Sequence, residues 1–199
     1  MRVFIFSVFF ALMGAINISA QTNSKTICHL PTSNYKLIPW EKIYSPDRNY
    51  IERDFDKDGI KERILVGRNT PNGYRILGFQ GQHGYDLRPG YGGEREMLED
   101  QFGDLNEGCY IQISYYDLDN DNKEELIVTI GDMLISSVSA IYKVRRSSSS
   151  PFVYLGQFDG QGDLYLDGKT IIVPIGSQGL YLAYKVLDGK LTEVTSSFY

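Results

Sequence analysis

Short apolar runs separated by turn residues dominate this chain, and few of them carry the three-to-four-residue spacing of an amphipathic helix. Residues 64–67 and 74–79 read as the two strands of a hairpin, turned by Thr70, Pro71, Asn72 and Gly73. The most continuous β pattern lies at 126–130 and 137–144, rich in the β-branched and aromatic residues that suit a pleated, half-buried surface. A strand from residue 152 to 155 follows a serine-rich turn at 145–151. Two tight hairpins close the chain. They turn at Asp167-Gly168 and at Asp188-Gly189, a residue pair that tolerates the positive φ angles of a two-residue turn.

This pattern predicts an all-β fold of antiparallel strands in three blade-like units. Propellers close with about 4–8 blades. Three units therefore imply a partial or small β-propeller-like arrangement, a further blade drawn from residues 21–50, or a sandwich. The least strand-like stretch is 78–103, which is rich in glycine. Within it, residues 94–102 read as a short helix with Leu98 and Phe102 on one face. A long loop inside a domain is often a binding loop, and His83, Tyr85, Arg88 and Tyr91 lie in this one.

Two of the polar interruptions share a pattern. Asp54, Asp56, Asp58 and Glu62 precede one apolar run, and Asp117, Asp119, Asp121 and Glu125 precede another. Calcium takes several oxygen ligands at once in flexible geometry. Carboxylates at alternate positions of a short loop supply them, with the seventh position, Ile60 or Lys123, offering a backbone carbonyl. The sixth position asks for a positive φ angle, which Gly59 meets without strain and Asn122 meets next best. Crowded carboxylates resist joint ionisation unless a cation neutralises them. The loops at 54–62 and 117–125 are therefore two candidate metal sites. They are not EF-hands, because the twelfth position holds Leu65 and Val128, inside strand-like runs, where that motif needs a bidentate glutamate.

The spacing resembles the calcium loops of the FG-GAP/VCBS repeat family, in which an acidic loop joins two strands of a propeller blade. The resemblance covers Asp54 to about Gln80 and Asp117 to about Tyr142. It implies Ca²⁺ at two sites. Asp54, Asp56, Asp58, the Ile60 carbonyl and Glu62 would hold one ion, and Asp117, Asp119, Asp121, the Lys123 carbonyl and Glu125 the other. The chain departs from the family in carrying Glu where Asp is usual at the last position, and Asn122 in place of glycine. A degenerate third copy without metal is expected at 158–163.

Residues 1–20 read as a secretory signal peptide, with Arg2 ahead of a short apolar run and Ala20 at the cleavage point. No later run is long enough to span a bilayer, which needs about 20 residues. Export to the periplasm or medium places the two cysteines, Cys28 and Cys109, in an oxidising compartment, where an even pair most simply forms one disulfide. The remaining residues, 21–199, read as a single β domain. The net charge of -5, with no basic run beyond Arg145-Arg146, argues against nucleic-acid binding.

Three functions are compatible with this sequence. The first is an exported, non-catalytic, calcium-stabilised β module that binds a protein or glycan partner. The second is an inhibitor or immunity protein that blocks a cell-wall hydrolase, for which an acidic surface would aid association with a basic enzyme. The third is a metal-dependent hydrolase. Against it, the only histidines are His29 and His83, and neither a nucleophile elbow nor a zinc-type histidine pair is present.

Overall fold

The computed structural model of the protein describes residues 28–29, 36–37, 40–42, 50–68, 74–90, 105–106, 108–132, 136–146, 150–161, 163–175 and 180–194. Every pairing among them is antiparallel, and no helix is present in these segments. The signal segment at 1–20, the expected helix at 94–102, Tyr91 and the turn at 70–73 lie outside the described residues.

Three short N-terminal strands come first: β1 (Cys28–His29), β2 (Lys36–Leu37) and β3 (Trp40–Lys42). The first sheet is a meander of β4 (Tyr50–Arg53), β5 (Glu62–Arg68), β6 (Tyr74–Gln80) and β7 (His83–Asp86). The second is a meander of β8 (Tyr110–Tyr116), β9 (Glu125–Gly131), β10 (Ser137–Val144) and β11 (Phe152–Gly160). The third is a meander of β12 (Tyr165–Asp167), β13 (Thr170–Ile175), β14 (Leu180–Leu187) and β15 (Lys190–Glu193). Among the described residues of 21–49, three short strands join these sheets rather than pairing with one another. Strand β3 extends the second sheet beside β8, β2 extends the third beside β12, and β1 shares an edge of β14 with β15.

The sheets stack in chain order around two cores. Ile51, Ile64, Val66 and Ile76 of the first sheet pack with Ile111, Ile113, Leu126, Val128, Ile130 and Ala140 of the second. Ile127, Ile141, Leu155 and Phe158, on the opposite face of the second sheet, pack with Leu166, Ile171, Val173, Tyr184 and Val186 of the third. The second sheet is thus covered on both sides. This explains why every residue of β9 is buried and why its sequence runs apolar without alternation. Of the hydroxyls on β9 and β10, those of Thr129 and Ser139 satisfy one another across the pair at 2.8 Å, and that of Ser137 donates to the Gly160 carbonyl at 3.0 Å.

Two expectations from the sequence are corrected here. The glycine-rich start of 78–103 is not loop: β6 runs through Gly78 to Gln80 and returns as β7 after a turn at Gly81-Gln82. Gly78 is a packing residue. A Cβ there would lie 2.6 Å from the Phe152 ring, so only glycine lets β6 approach the second sheet this closely. Gly81 takes φ 65° to make the turn.

The second correction concerns the degenerate third loop. Asp159 and Gly160 are the last two residues of β11, paired with Val138 and Ser137. The connection that corresponds to the acidic loops joins β12 to β13, and it is the tight turn at Asp167–Gly168–Lys169. The third sheet therefore has a hairpin turn where the other two have a nine-residue acidic pattern.

Candidate metal centre

Both acidic loops occupy the same place in their sheets. One joins β4 to β5 and the other joins β8 to β9. Their backbones follow one path. Lys57 and Gly59 take φ 58° and 90°, and Asn120 and Asn122 take φ 66° and 67° at the matching positions. Asn122 thus accepts the left-handed conformation expected of it, at the modest cost that asparagine carries there. The left-handed backbone at Lys57 and Asn120 was not foreseen: asparagine favours it, as at Asn122, but lysine carries no such signal.

The hydrogen bonds match as closely. The N–H of Gly59 donates to Asp54 Oδ2 at 2.9 Å, and that of Asn122 donates to Asp117 Oδ2 at 3.3 Å. Asp58 N–H donates to Asp56 Oδ1 and Asp121 N–H to Asp119 Oδ1, each at 3.2 Å. Ile60 and Lys123 donate to Asp58 and Asp121. The two glutamates anchor the loops from below: Phe55 N–H donates to Glu62 Oε2 at 3.2 Å, and Leu118 N–H donates to Glu125 Oε2 at 2.7 Å. Backbone donors thus hold a carboxylate oxygen of each of the eight acids, and both oxygens of Asp54.

Two triplets of carboxylate oxygens converge to within 4.8 Å of one another, from Asp54, Asp56 and Asp58 and from Asp117, Asp119 and Glu125. Either triplet could hold a metal ion. Glu62 and Asp121, expected as ligands, fall outside these tight groups. Glu62 is fully buried and accepts a hydrogen bond from Gln80 Nε2 at 3.2 Å, while Asp121 turns to Lys143 at 2.8 Å. Among the described residues, Asp58 Oδ2, Asp117 Oδ1 and Glu125 Oε1 are buried oxygens with no hydrogen bond. A buried carboxylate oxygen left unsatisfied is costly. Divalent-cation coordination would relieve that cost at both loops.

The charges around the loops bear on the same point. Burial pushes the Glu125 carboxyl up to about 7, an effect that the neighbouring Asp119 reinforces and the Leu118 N–H opposes. Burial likewise raises Glu62. Lys143 Nζ donates to Asp119, lies 2.8 Å from Asp121 Oδ2 and 3.6 Å from Glu125 Oε1. Burial would lower this ammonium, but its bonds to Asp119 and Asp121 hold it above the usual lysine value. The same contact holds Asp121 low against the opposing effect of its burial.

The loops also clasp one another. Arg53, preceding the first loop, pairs with Glu124 of the second through two hydrogen bonds and stacks over the Tyr115 ring, 4.0 Å from its centroid. Glu124 N–H donates to the Phe55 carbonyl at 3.0 Å, and Lys57 Nζ donates to Asn122 at 3.1 Å. From the turn in the third sheet, Lys169 donates to the Asp117 carbonyl and lies 3.3 Å from its carboxylate. Each loop is therefore buttressed by the corresponding connection of the next sheet.

Lys143, Lys169 and Gln80 were not identified from the sequence. A lysine inside the otherwise apolar run 140–144 was the available signal, since a charge there must find a partner. For the expected Cys28–Cys109 disulfide, the Cys28 side chain lies outside the described residues. Among the described residues Cys109 carries a free thiol at the entrance to the second sheet, while Cys28 belongs to β1 on the third. No protein family, curated protein or solved structure matches the chain.

Proposed function

We propose that this protein is an exported, non-catalytic β module that binds Ca²⁺ at its two acidic loops and presents a protein- or glycan-binding surface. The observation that carries the metal reading is the pair of loops with matching φ angles and hydrogen bonds, in which the buried carboxylate oxygens Asp58 Oδ2, Asp117 Oδ1 and Glu125 Oε1 accept no hydrogen bond. The donors are all oxygen, which suits a hard cation with flexible coordination. In this reading the chain is akin to FG-GAP/VCBS repeats. The ion would fasten each loop to its sheet and, through the Arg53–Glu124 clasp, one sheet to the next.

A groove between the first and second sheets supports the partner reading. It has a volume of about 720 Å³ and is lined by Tyr85, Asp86, Arg88, Tyr142, Tyr154 and Gln157, among others. The Tyr154 ring is half exposed and lies 5.7 Å from that of Tyr142. Asp86 and Arg88 hold each other in a forked pair at its edge. Aromatic rings beside planar hydrogen-bonding groups suit the apolar faces and hydroxyls of a sugar.

The test is calcium titration of chelator-stripped protein, followed by screening of the loaded protein against polysaccharide and peptidoglycan panels. Saturable calcium binding is expected, with a dissociation constant on the order of 10⁻⁴–10⁻³ M, as in extracellular modules. Tyr154→Ala is expected to weaken glycan capture by roughly tenfold, the scale of one aromatic contact, without lowering the melting temperature. Absence of calcium uptake overturns the metal reading. Capture of a protein, with no glycan retained, assigns the surface to a protein partner.

A further inference from the structure

The two loops share one backbone and one set of acids, yet they are neutralised differently, and the difference sits at a single cross-strand position. In the second sheet, β9 and β10 pair Glu125 with Lys143. In the first sheet, one step beyond the Arg63–Phe79 pair of β5 and β6, Gln80 donates to Glu62. Equivalent positions thus hold a neutral amide in one sheet and an ammonium in the other. The amide satisfies Glu62 and contributes no charge to Asp54, Asp56 and Asp58. The ammonium touches Asp119 and Asp121 and comes within 3.6 Å of the fully buried Glu125. Lys169 adds a second positive charge at Asp117. Among the described residues, the cation that pairs with an aspartate of the first loop is Arg146, 3.9 Å from Asp58 and largely exposed. Its effect is screened by solvent.

We propose that Lys143 is the resident cation of the second loop, and that a divalent ion enters that loop only by displacing its ammonium, so that the first loop fills first. The claim about displacement rests on the calcium reading above. The claim that the ammonium neutralises the loop stands without any metal.

The reason is Coulombic. A divalent ion at the Asp117, Asp119 and Glu125 oxygens would share them with an ammonium already in contact, and like charges at such range repel strongly in a partly buried site. Moving Lys143 out also requires its stem to leave a half-buried position between strands. The first loop asks for neither.

The experiment exchanges the two residues. In excess chelator, Lys143→Gln is expected to lower the melting temperature by at least about 5 °C, because Glu125 and its neighbours lose their counter-charge. Lys143→Arg, which keeps the charge, is expected to lose less. In calorimetric titrations on an Asp56→Ala background, which silences the first loop, Lys143→Gln is expected to tighten calcium binding at least about tenfold. Gln80→Lys, with the first loop intact, is expected to weaken binding there by a similar factor while the protein stays folded. An unchanged chelated melting temperature overturns the resident-cation claim. Unchanged calcium affinity in both exchanges, with the wild type binding calcium, overturns the displacement claim. If wild type and variants alike take up no calcium, the calcium reading falls, and the melting comparison alone decides the role of Lys143.

Discussion

Truncating Phe55 to alanine is expected to destabilise the protein by about 3–5 kcal/mol, the range for removing a fully buried phenylalanine. Phe55 is completely buried although it lies inside an acidic loop, between Asp54 and Asp56. Its ring meets Tyr115 edge-on at 6.0 Å, in the core shared by the first and second sheets. Its N–H holds Glu62, and its carbonyl accepts from Glu124 of the other loop. The side chain therefore pins the first loop to both sheets. A cavity at this point would loosen the aspartates as well as the core. Urea denaturation should show the lowered midpoint in calcium and in chelator alike. Calcium titration of the variant should show weaker binding at the first loop. Phe55→Leu, which keeps most of the volume, should lose less on both counts.

The second large effect is a pH dependence centred on Glu125. Its carboxyl titrates near 7 in the folded protein against an ordinary value of 4.5, because burial penalises the charged form. The folded state therefore holds a proton that the unfolded state has released. Stability from this group is fully present below about pH 4.5 and is lost as pH rises through 7. The full swing is about 3 kcal/mol for a shift of this size. Glu62, raised by burial, adds to the same slope. Asp121 works in the opposite sense, at lower pH, because Lys143 stabilises its charged form against the pull of burial. In chelator, the melting temperature should fall between pH 5 and pH 8. A bound cation keeps Glu125 ionised at little cost, so saturating calcium should flatten that fall. Glu125→Gln should remove most of the slope in chelator and, in calcium, weaken binding at the second loop.

Much of the fold could be read from the sequence because its strongest signals are local. Residues 126–130 and 137–144 became β9 and β10 with nearly those bounds. The Asp188-Gly189 turn formed with both residues at positive φ, 50° and 70°, as a tight hairpin requires. The acidic loops fell between strands in the positions expected, and Asn122 replaced glycine in the left-handed conformation. What could not be read depends on contacts between distant segments. Gly78 resembles a loop residue until Phe152 is seen packed over it. The short strands β1, β2 and β3 take their places from sheet edges more than a hundred residues further along in two of the three cases. Lys143 and Gln80 join the loops through strand register, which no spacing within either loop reveals. Asp159 drew attention to the wrong place for a third loop because one acid-glycine pair resembles another until the pairing with Val138 assigns it to a strand.

The proposed function rests on a divalent cation fastening the acidic loops to their sheets. Thermal melting of the chelator-stripped protein, with and without millimolar calcium, tests this most directly when repeated on Asp56→Ala and Asp119→Ala. Each site filled at ten times its dissociation constant contributes roughly 1.4 kcal/mol, or about 3–5 °C for a chain of this length. The wild type is expected to show a calcium-dependent rise that Asp56→Ala largely abolishes and Asp119→Ala reduces less. A wild-type melting temperature identical in calcium and chelator would contradict the calcium reading.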